Sequence, residues 1–536
     1  MRNSFFLMGL AAFGLAAPGP GATAQPPAPA PAAPRPATPA PPAAAPAPAA
    51  PTPQELEASR QAVAGADVSR LLSDRAYAAA MLAHLDRLAP LAQSNDEARL
   101  AIANLRLFAL LSQERPDDVR AAIDAMLAER PREGAFYAGP WFGALTLEDW
   151  DRALAVVEAA SRNVPGVGWA DLRNVFEVDP TNIVLRHFHD AHQEDKRVRM
   201  AEALFRIGWT AGGDAETADF LRSILVEDRL RRHDNAAAAD LAAGITTPSQ
   251  MLSLVTQVRY DPVLPPGRDR IELMRNALAE RDRTTAEALA AAPRDVRRVL
   301  DRVQYLRGLG RDADALALVA PFARDVRATV AAGREGMWVI NEGGYALVAL
   351  GRGDEAVAMM RRLLALPVAQ NIDLIGPFIN HAEILNAAGR YADALDHARH
   401  LQQGDARFAN DFGKMWISSS IVCALAGLNR SAEAAAELAR MRPQSEVNPA
   451  ALTRAYLCAG DDDSAAALLV HRLQSDDPES AILALQTYSL SQGTGPEAAL
   501  AARLTALRER PAVRDALARV GHVLTLPLAR TYWGGF

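Results

Sequence analysis

"INEGGYALVALGRGDEAVAMMRRLLALP", residues 340–367, holds two helix-length stretches joined at a glycine. Apolar residues recur every three or four positions on either side of Gly351, the spacing of an amphipathic helix. Glycine accepts the positive φ that closes a helix, so Gly351 predicts a stop. Asp354 and Glu355 suit the start of a second helix just beyond it. Leu347, four positions before the glycine, fills the space between the two helices. Ala356, five positions after it, must be small because the helices cross there. The stretch is a helical hairpin with one apolar face left to bury.

The same register recurs at Gly310, Gly389, Gly427 and Gly460. Their alanines are Ala315, Ala394, Ala432 and Ala465; their packing residues are Leu306, Leu385, Cys423 and Tyr456. Eleven positions before the first four glycines stand Val299, Ile340, Phe378 and Trp416. Units of this kind bury their faces by stacking on one another. The pattern resembles the tetratricopeptide repeat family. It is best developed in 340–367 and in "FINHAEILNAAGRYADALDHARHL", residues 378–401. There Ile340 or Phe378, Gly344 or Ala382, Leu347 or Leu385, Gly351 or Gly389 and Ala356 or Ala394 match the family's positions. Successive glycines lie 41, 38, 38 and 33 residues apart, against a family period of about 34, so the loops between repeats are longer.

The resemblance implies an all-α fold, an α-solenoid of stacked hairpins. It also implies a concave groove, lined by the first helix of each repeat, that takes a protein or peptide. Carried over position by position, the groove presents Arg297, Gln304 and Arg307, then Trp338, Asn341 and Tyr345. Ile379, Glu383 and Asn386 follow, and then Lys414, Ile417 and Ile421. The family's carboxylate clamp uses paired Lys and Asn. Asn380 and Lys414 fall at clamp positions, whereas Asn341 and Tyr345 stand where Lys and Asn belong, which argues against capture of a C-terminal carboxylate.

Around this array, residues 1–24 read as a signal peptide. Arg2 is followed by an apolar run from Phe5 to Ala17, and Ala22-Thr23-Ala24 marks a cut before Gln25. The run is shorter than the roughly 20 residues a membrane span needs. Residues 25–53 are almost only Pro and Ala, a disordered linker. Residues 54–292 are degenerate hairpins, visible in "NLRLFALLSQERPDDVRAAIDAMLAERP" (104–131), "LTLEDWDRALAVVEAA" (145–160) and "LRRHDNAAAADLAAG" (230–244). Residues 293–478 form the repeat array, and 479–536 are capping helices and a tail. The expected location is periplasmic or secreted, with no transmembrane segment in the mature chain. The net charge of −7 and the lack of any Lys/Arg block exclude an electrostatic footprint for nucleic acid.

Chemistry is sparse. "RHFHDAHQED", residues 186–195, offers His187, His189 and His192 as metal candidates. The H-x-H-x-D-H hydrolase motif would need Asp190 one place later. On a helix, His189 and His192 share a face while His187 points elsewhere, so the expectation is a solvated helix face rather than a metal site. Cys423 and Cys458 are expected as buried free thiols, because neighbouring first helices lie about 8–10 Å apart. No zincin, nucleophile-elbow, P-loop or dinucleotide motif is present, and no cofactor is expected. The reading is an exported, non-enzymatic scaffold for protein–protein interaction in the cell envelope, serving envelope assembly, polymer export or secretion. Its alternative is a cell-wall or metal-dependent hydrolase with an unrecognised site.

Overall fold

A computed structural model describes residues 51–530, apart from 94, 165–171, 173, 174, 210–214, 332, 369, 370 and 491–493. The expected signal peptide and most of the Pro/Ala segment lie outside the described residues. So does the tail from 531. The chain is all-α. Thr52 caps the first helix, its hydroxyl accepting from the Glu55 amide while the Glu55 carboxylate accepts from the Thr52 amide.

The first half runs α1 (Pro53–Ala64), α2 (Val68–Ser73), α3 (Arg75–Leu88), α4 (Asp96–Ser112), α5 (Pro116–Ala128), α6 (Ala138–Thr146) and α7 (Trp150–Asn163). It continues with α8 (Val178–Asp190), α9 (Glu194–Arg206), α10 (Ala215–Arg231), α11 (Asn235–Ala242), α12 (Pro248–Thr256) and α13 (Arg270–Ala291). The second half holds α14 (Val296–Gly308), α15 (Asp312–Arg324), α16 (Val326–Ala331), α17 (Arg334–Ala349), α18 (Gly353–Leu364), α19 (Ile375–Ala387) and α20 (Tyr391–Gln403). Then come α21 (Asp411–Gly427), α22 (Ser431–Met441), α23 (Pro449–Ala459) and α24 (Asp462–Leu473). The C-terminal segment adds α25 (Glu479–Ala484), β1 (Thr487–Tyr488), α26 (Gly495–Arg508), α27 (Pro511–Val520) and β2 (Thr525–Leu526).

One turn recurs through both halves. Gly310, Gly351, Gly389 and Gly460 all have positive φ. In each case the next amide reaches back to the carbonyl of Leu306, Leu347, Leu385 or Tyr456, at 2.8–2.9 Å. That bond satisfies a carbonyl the helix end leaves unpaired. The alanines five residues on, Ala315, Ala356, Ala394 and Ala465, are completely buried.

The fourth unit departs from the expected register. Gly427 is helical, and the left-handed residue is Asn429, with Arg430 N bonded to Leu425 O at 2.8 Å. The packing residue is therefore Leu425, not Cys423, and the crossing alanine is buried Ala434, not exposed Ala432. Asparagine tolerates this backbone conformation, which lets it displace the glycine by two places.

The same turn closes first-half hairpins without glycine. Glu148, His192 and His233 take positive φ, and the amides after them bond Ala144, Phe188 and Arg229 carbonyls at 2.8–2.9 Å. Glu114 takes positive φ between α4 and α5.

Packing in the second half follows chain order. The first helices α14, α17, α19, α21 and α23 each touch the next, and the second helices α15, α18, α20 and α22 pack between them. One apolar core runs from Val299 to Leu517 through all of these units. Cys423 and Cys458 form a disulfide that joins α21 to α23, with Cα atoms 4.9 Å apart. The expectation of free thiols fails because the two-place shift in register turns Cys423 away from the packing slot and towards α23.

The C-terminal segment packs α27 against α24, the last helix of this stack. It also turns back across the stack. The His522 amide bonds Thr256 O at 2.8 Å, Gln257 bridges Gly521, and the Ala529 amide bonds Gly308 O at 2.8 Å. β1 and β2 pair in parallel, and Tyr488, Leu526 and Leu528 join a core with Met251, Met274 and Tyr305. Residues at the end of the array thus meet α12, α13 and α14 at its beginning.

Candidate functional site

The first helices of the second half carry a buried chain of charges along their shared face. The Arg307 guanidinium of α14 pairs with Glu342 of α17 and lies 3.5 Å from Asp312. It stacks over the Tyr345 ring at 5.1 Å. The Tyr345 hydroxyl donates to Glu383 of α19 at 2.6 Å. Glu383 lies 3.7 Å from Arg454 of α23, and Arg454 donates to Glu497 of α26 at 3.1 Å through one nitrogen and again through the other. Every member but Glu497 sits on a hairpin helix of the array.

Burial sets the electrostatics. It works against the charges of Arg307 and Arg454, which are only 3% and 4% exposed. The neighbouring carboxylates win, and both guanidinium groups are held above their ordinary pKa: Arg307 by Glu342, Arg454 by Glu497 and then Glu383. Burial pushes the Asp312 carboxyl up despite Arg307 beside it. The Tyr345 hydroxyl is raised by burial and then by Glu383, so it stays protonated and donates.

The proposed groove residues divide sharply. Arg307, Asn341, Ile379, Asn386, Ile417 and Ile421 are buried. Gln304, Trp338, Tyr345 and Glu383 are half-buried, and only Arg297 and Lys414 are exposed. Of the clamp positions, Asn380 donates to Asn341 at 3.1 Å, and Lys414 pairs with Asp411 of its own helix at 2.8 Å. α26 touches both α19 and α23. Leu500, Leu504 and Leu507 are buried in the common core, and the Thr494 hydroxyl donates to Val348 O at 3.1 Å. At α19 and α23 the face expected to be an open groove is covered by α26.

The three histidines of residues 186–195 come apart. α8 ends at Asp190, so His192 is not on the helix with His189; it is the exposed left-handed turn residue. His189 Nδ1 lies 3.1 Å from Glu194. His187 stacks on Trp150, ring centroids 4.9 Å apart. It borders a cleft of about 290 Å³ with Arg120, Lys196, Asp149 and Asp151, whose charges pair with one another. Among the described residues no group of three or more His, Cys, Asp or Glu side chains is placed to hold a metal ion. A second cleft, of about 350 Å³, lies between α4 and α5 over Leu100, Ala103, Leu110 and Met126.

Sequence reasoning missed Arg454, Glu497 and Glu342. A signal was present: Arg454 is the one charge within "AALTRAYLCAG" (450–460), otherwise uncharged. Compared with models of known protein families the chain matches none, and a comparison with curated proteins finds no relative. Among the described residues no helix is long and apolar enough to cross a membrane.

Proposed function

We propose that this chain is an exported, non-enzymatic scaffold of the tetratricopeptide-like kind, holding a protein or peptide partner in the cell envelope. The carrying observation is the repeated hairpin: one turn geometry, a packing residue five positions before the amide it accepts, and a buried small residue five positions after the turn. Such units present a continuous face of first helices, the surface this architecture uses for helical or extended ligands. The Cys423–Cys458 disulfide supports an oxidising compartment. The tripartite start of the sequence supports the export route that leads there.

Two measurements test the reading. Protein recovered from its native cells should begin at or near Gln25 and fractionate with the envelope; intact Met1 in the cytoplasm overturns export. Crosslinking in intact cells followed by purification should recover a stoichiometric protein partner. A chain that crosslinks to nothing overturns the scaffold.

A further inference from the structure

We propose that the first-helix face of the second half is a binding site for an amphipathic helix bearing a carboxylate, and that α26 fills it in cis. The inference rests on the scaffold reading and names the partner's chemistry. It stands on the juxtaposition of Arg454, Glu383 and Tyr345 on the array with Glu497 and three leucines on α26.

The occupant has the form of a docked ligand. α26 presents Leu500, Leu504 and Leu507 at i, i+4 and i+7, the spacing of a helix laid into a groove. Its other face, Ala499, Ala502, Thr505 and Ala506, is exposed. The helix lies on the array with one side in water.

The anchor is a poor choice for stability alone. Burying a guanidinium and a carboxylate costs desolvation that their attraction only roughly offsets, and an apolar pair of similar volume does as well or better. A buried charge does something an apolar pair cannot. Arg454 lies 3.7 Å from Glu383, which also accepts from Tyr345, and its two terminal nitrogens reach out to Glu497. An occupant without a carboxylate at that point forgoes both charge-assisted bonds that Glu497 makes to Arg454, so the site disfavours it. A partner in trans needs what α26 has: an acid, then leucines three, seven and ten residues later.

The test uses the full chain and, as probe, a fluorescent peptide of residues 494–510. Wild-type protein, its site filled, should bind the peptide weakly by anisotropy. Glu497→Arg, which places two cations together and expels α26, should bind it at least tenfold more tightly. A peptide carrying Glu497→Gln should lose that gain. Equal binding by wild type and variant, or no loss with the neutral peptide, overturns the proposal. So does a Glu497→Arg chain that unfolds throughout, because α26 is then part of the core and not a ligand. Hydrogen exchange on the wild type gives an independent reading: α26 amides should exchange at least tenfold faster than those of α21, and equal protection overturns the proposal. Envelope crosslinking judges the scaffold reading separately, since it does not depend on this peptide.

Discussion

The two halves of the molecule are built on the same turn and differ in what occupies it. The second half places glycine at the left-handed position of four of its five hairpin turns, with Asn429 at the fifth. The first half places Gly208 at one such turn and Glu114, Arg130, Glu148, His192 and His233 at other left-handed positions. A left-handed backbone costs a non-glycine residue roughly 1 kcal/mol, so the first half carries strain that the second largely avoids. The second half has one core spanning its whole length, whereas the first shares its apolar residues among separate clusters. A hairpin is thus specified by its buried crossing residue and its hydrogen bonds, and glycine only lowers its cost.

Substitutions can break this comparison, and the largest effect is expected at the charge chain. Arg454→Leu takes the buried cation from half-buried Glu383 and Glu497 and should cost up to about 3 kcal/mol. Adding Glu497→Leu should restore much of that loss. Urea melts followed by circular dichroism measure both, and an undiminished midpoint in the single variant removes the anchor from the account.

Next comes the shifted register of the fourth hairpin. Ala434→Leu should overpack the crossing of α21 and α22 and cost about 1–3 kcal/mol, as Ala394→Leu should in the unit before it. Ala432→Leu should change the melting temperature hardly at all. The opposite order would return the turn to Gly427.

A comparable loss should follow acidification. His381 and His397 face each other edge to face across α19 and α20, ring centroids 4.9 Å apart. Burial lowers both pKa values, that of His381 to about 3, and His397, Arg361 and Arg390 add to the effect at His381. The neighbouring His400 adds to the lowering at His397. The neutral imidazoles belong to the folded state, whereas the unfolded chain takes up protons below about pH 6.5. Stability should therefore be full above that pH and fall as pH drops towards 3, by about 2 kcal/mol between pH 7 and pH 5 for His381 alone. Melting temperature against pH checks this, and His381→Leu should flatten the slope.

The smallest effect sharpens the comparison most directly. His192→Gly should relieve a left-handed backbone and stabilise the first half by up to about 1 kcal/mol, while Gly389→Ala should cost the second a similar amount. Differential scanning calorimetry on the two variants reads the sign. A destabilised His192→Gly would give that imidazole a role beyond the turn.

The legible part of this fold was the part in which local chemistry and long-range packing agree. Gly351 and Gly389 announce their turns because a residue without a Cβ is the cheapest choice there. His192 hides its turn because a histidine in "DAHQED" reads as one more helical polar residue, and only the bond from Gln193 to Phe188 O reveals the helix end. Gly427 misled in the opposite sense, since Asn429 two places later supplied the same conformation. The groove residues were placed on the first helices of the hairpins, yet α19 among them is also met by α26, more than 70 residues beyond the last groove residue. Periodicity gives Leu500, Leu504 and Leu507 a common face but does not say what that face meets.

The bonds from His522 to Thr256 and from Ala529 to Gly308 also change how the second half comes apart. A row of hairpins with two free ends frays from its tips, each unit holding only its neighbours, and its unfolding spreads over a range of denaturant. Here the final segment is stitched to the opening helices, so the row has no tip at that side from which to fray. Helices α14 to α24 must then melt together, in one sharp step rather than a gradual one. Folding has the matching constraint: these contacts cannot form until the last-made residues arrive, and, spanning up to some 260 positions of sequence, they are the slow ones to find.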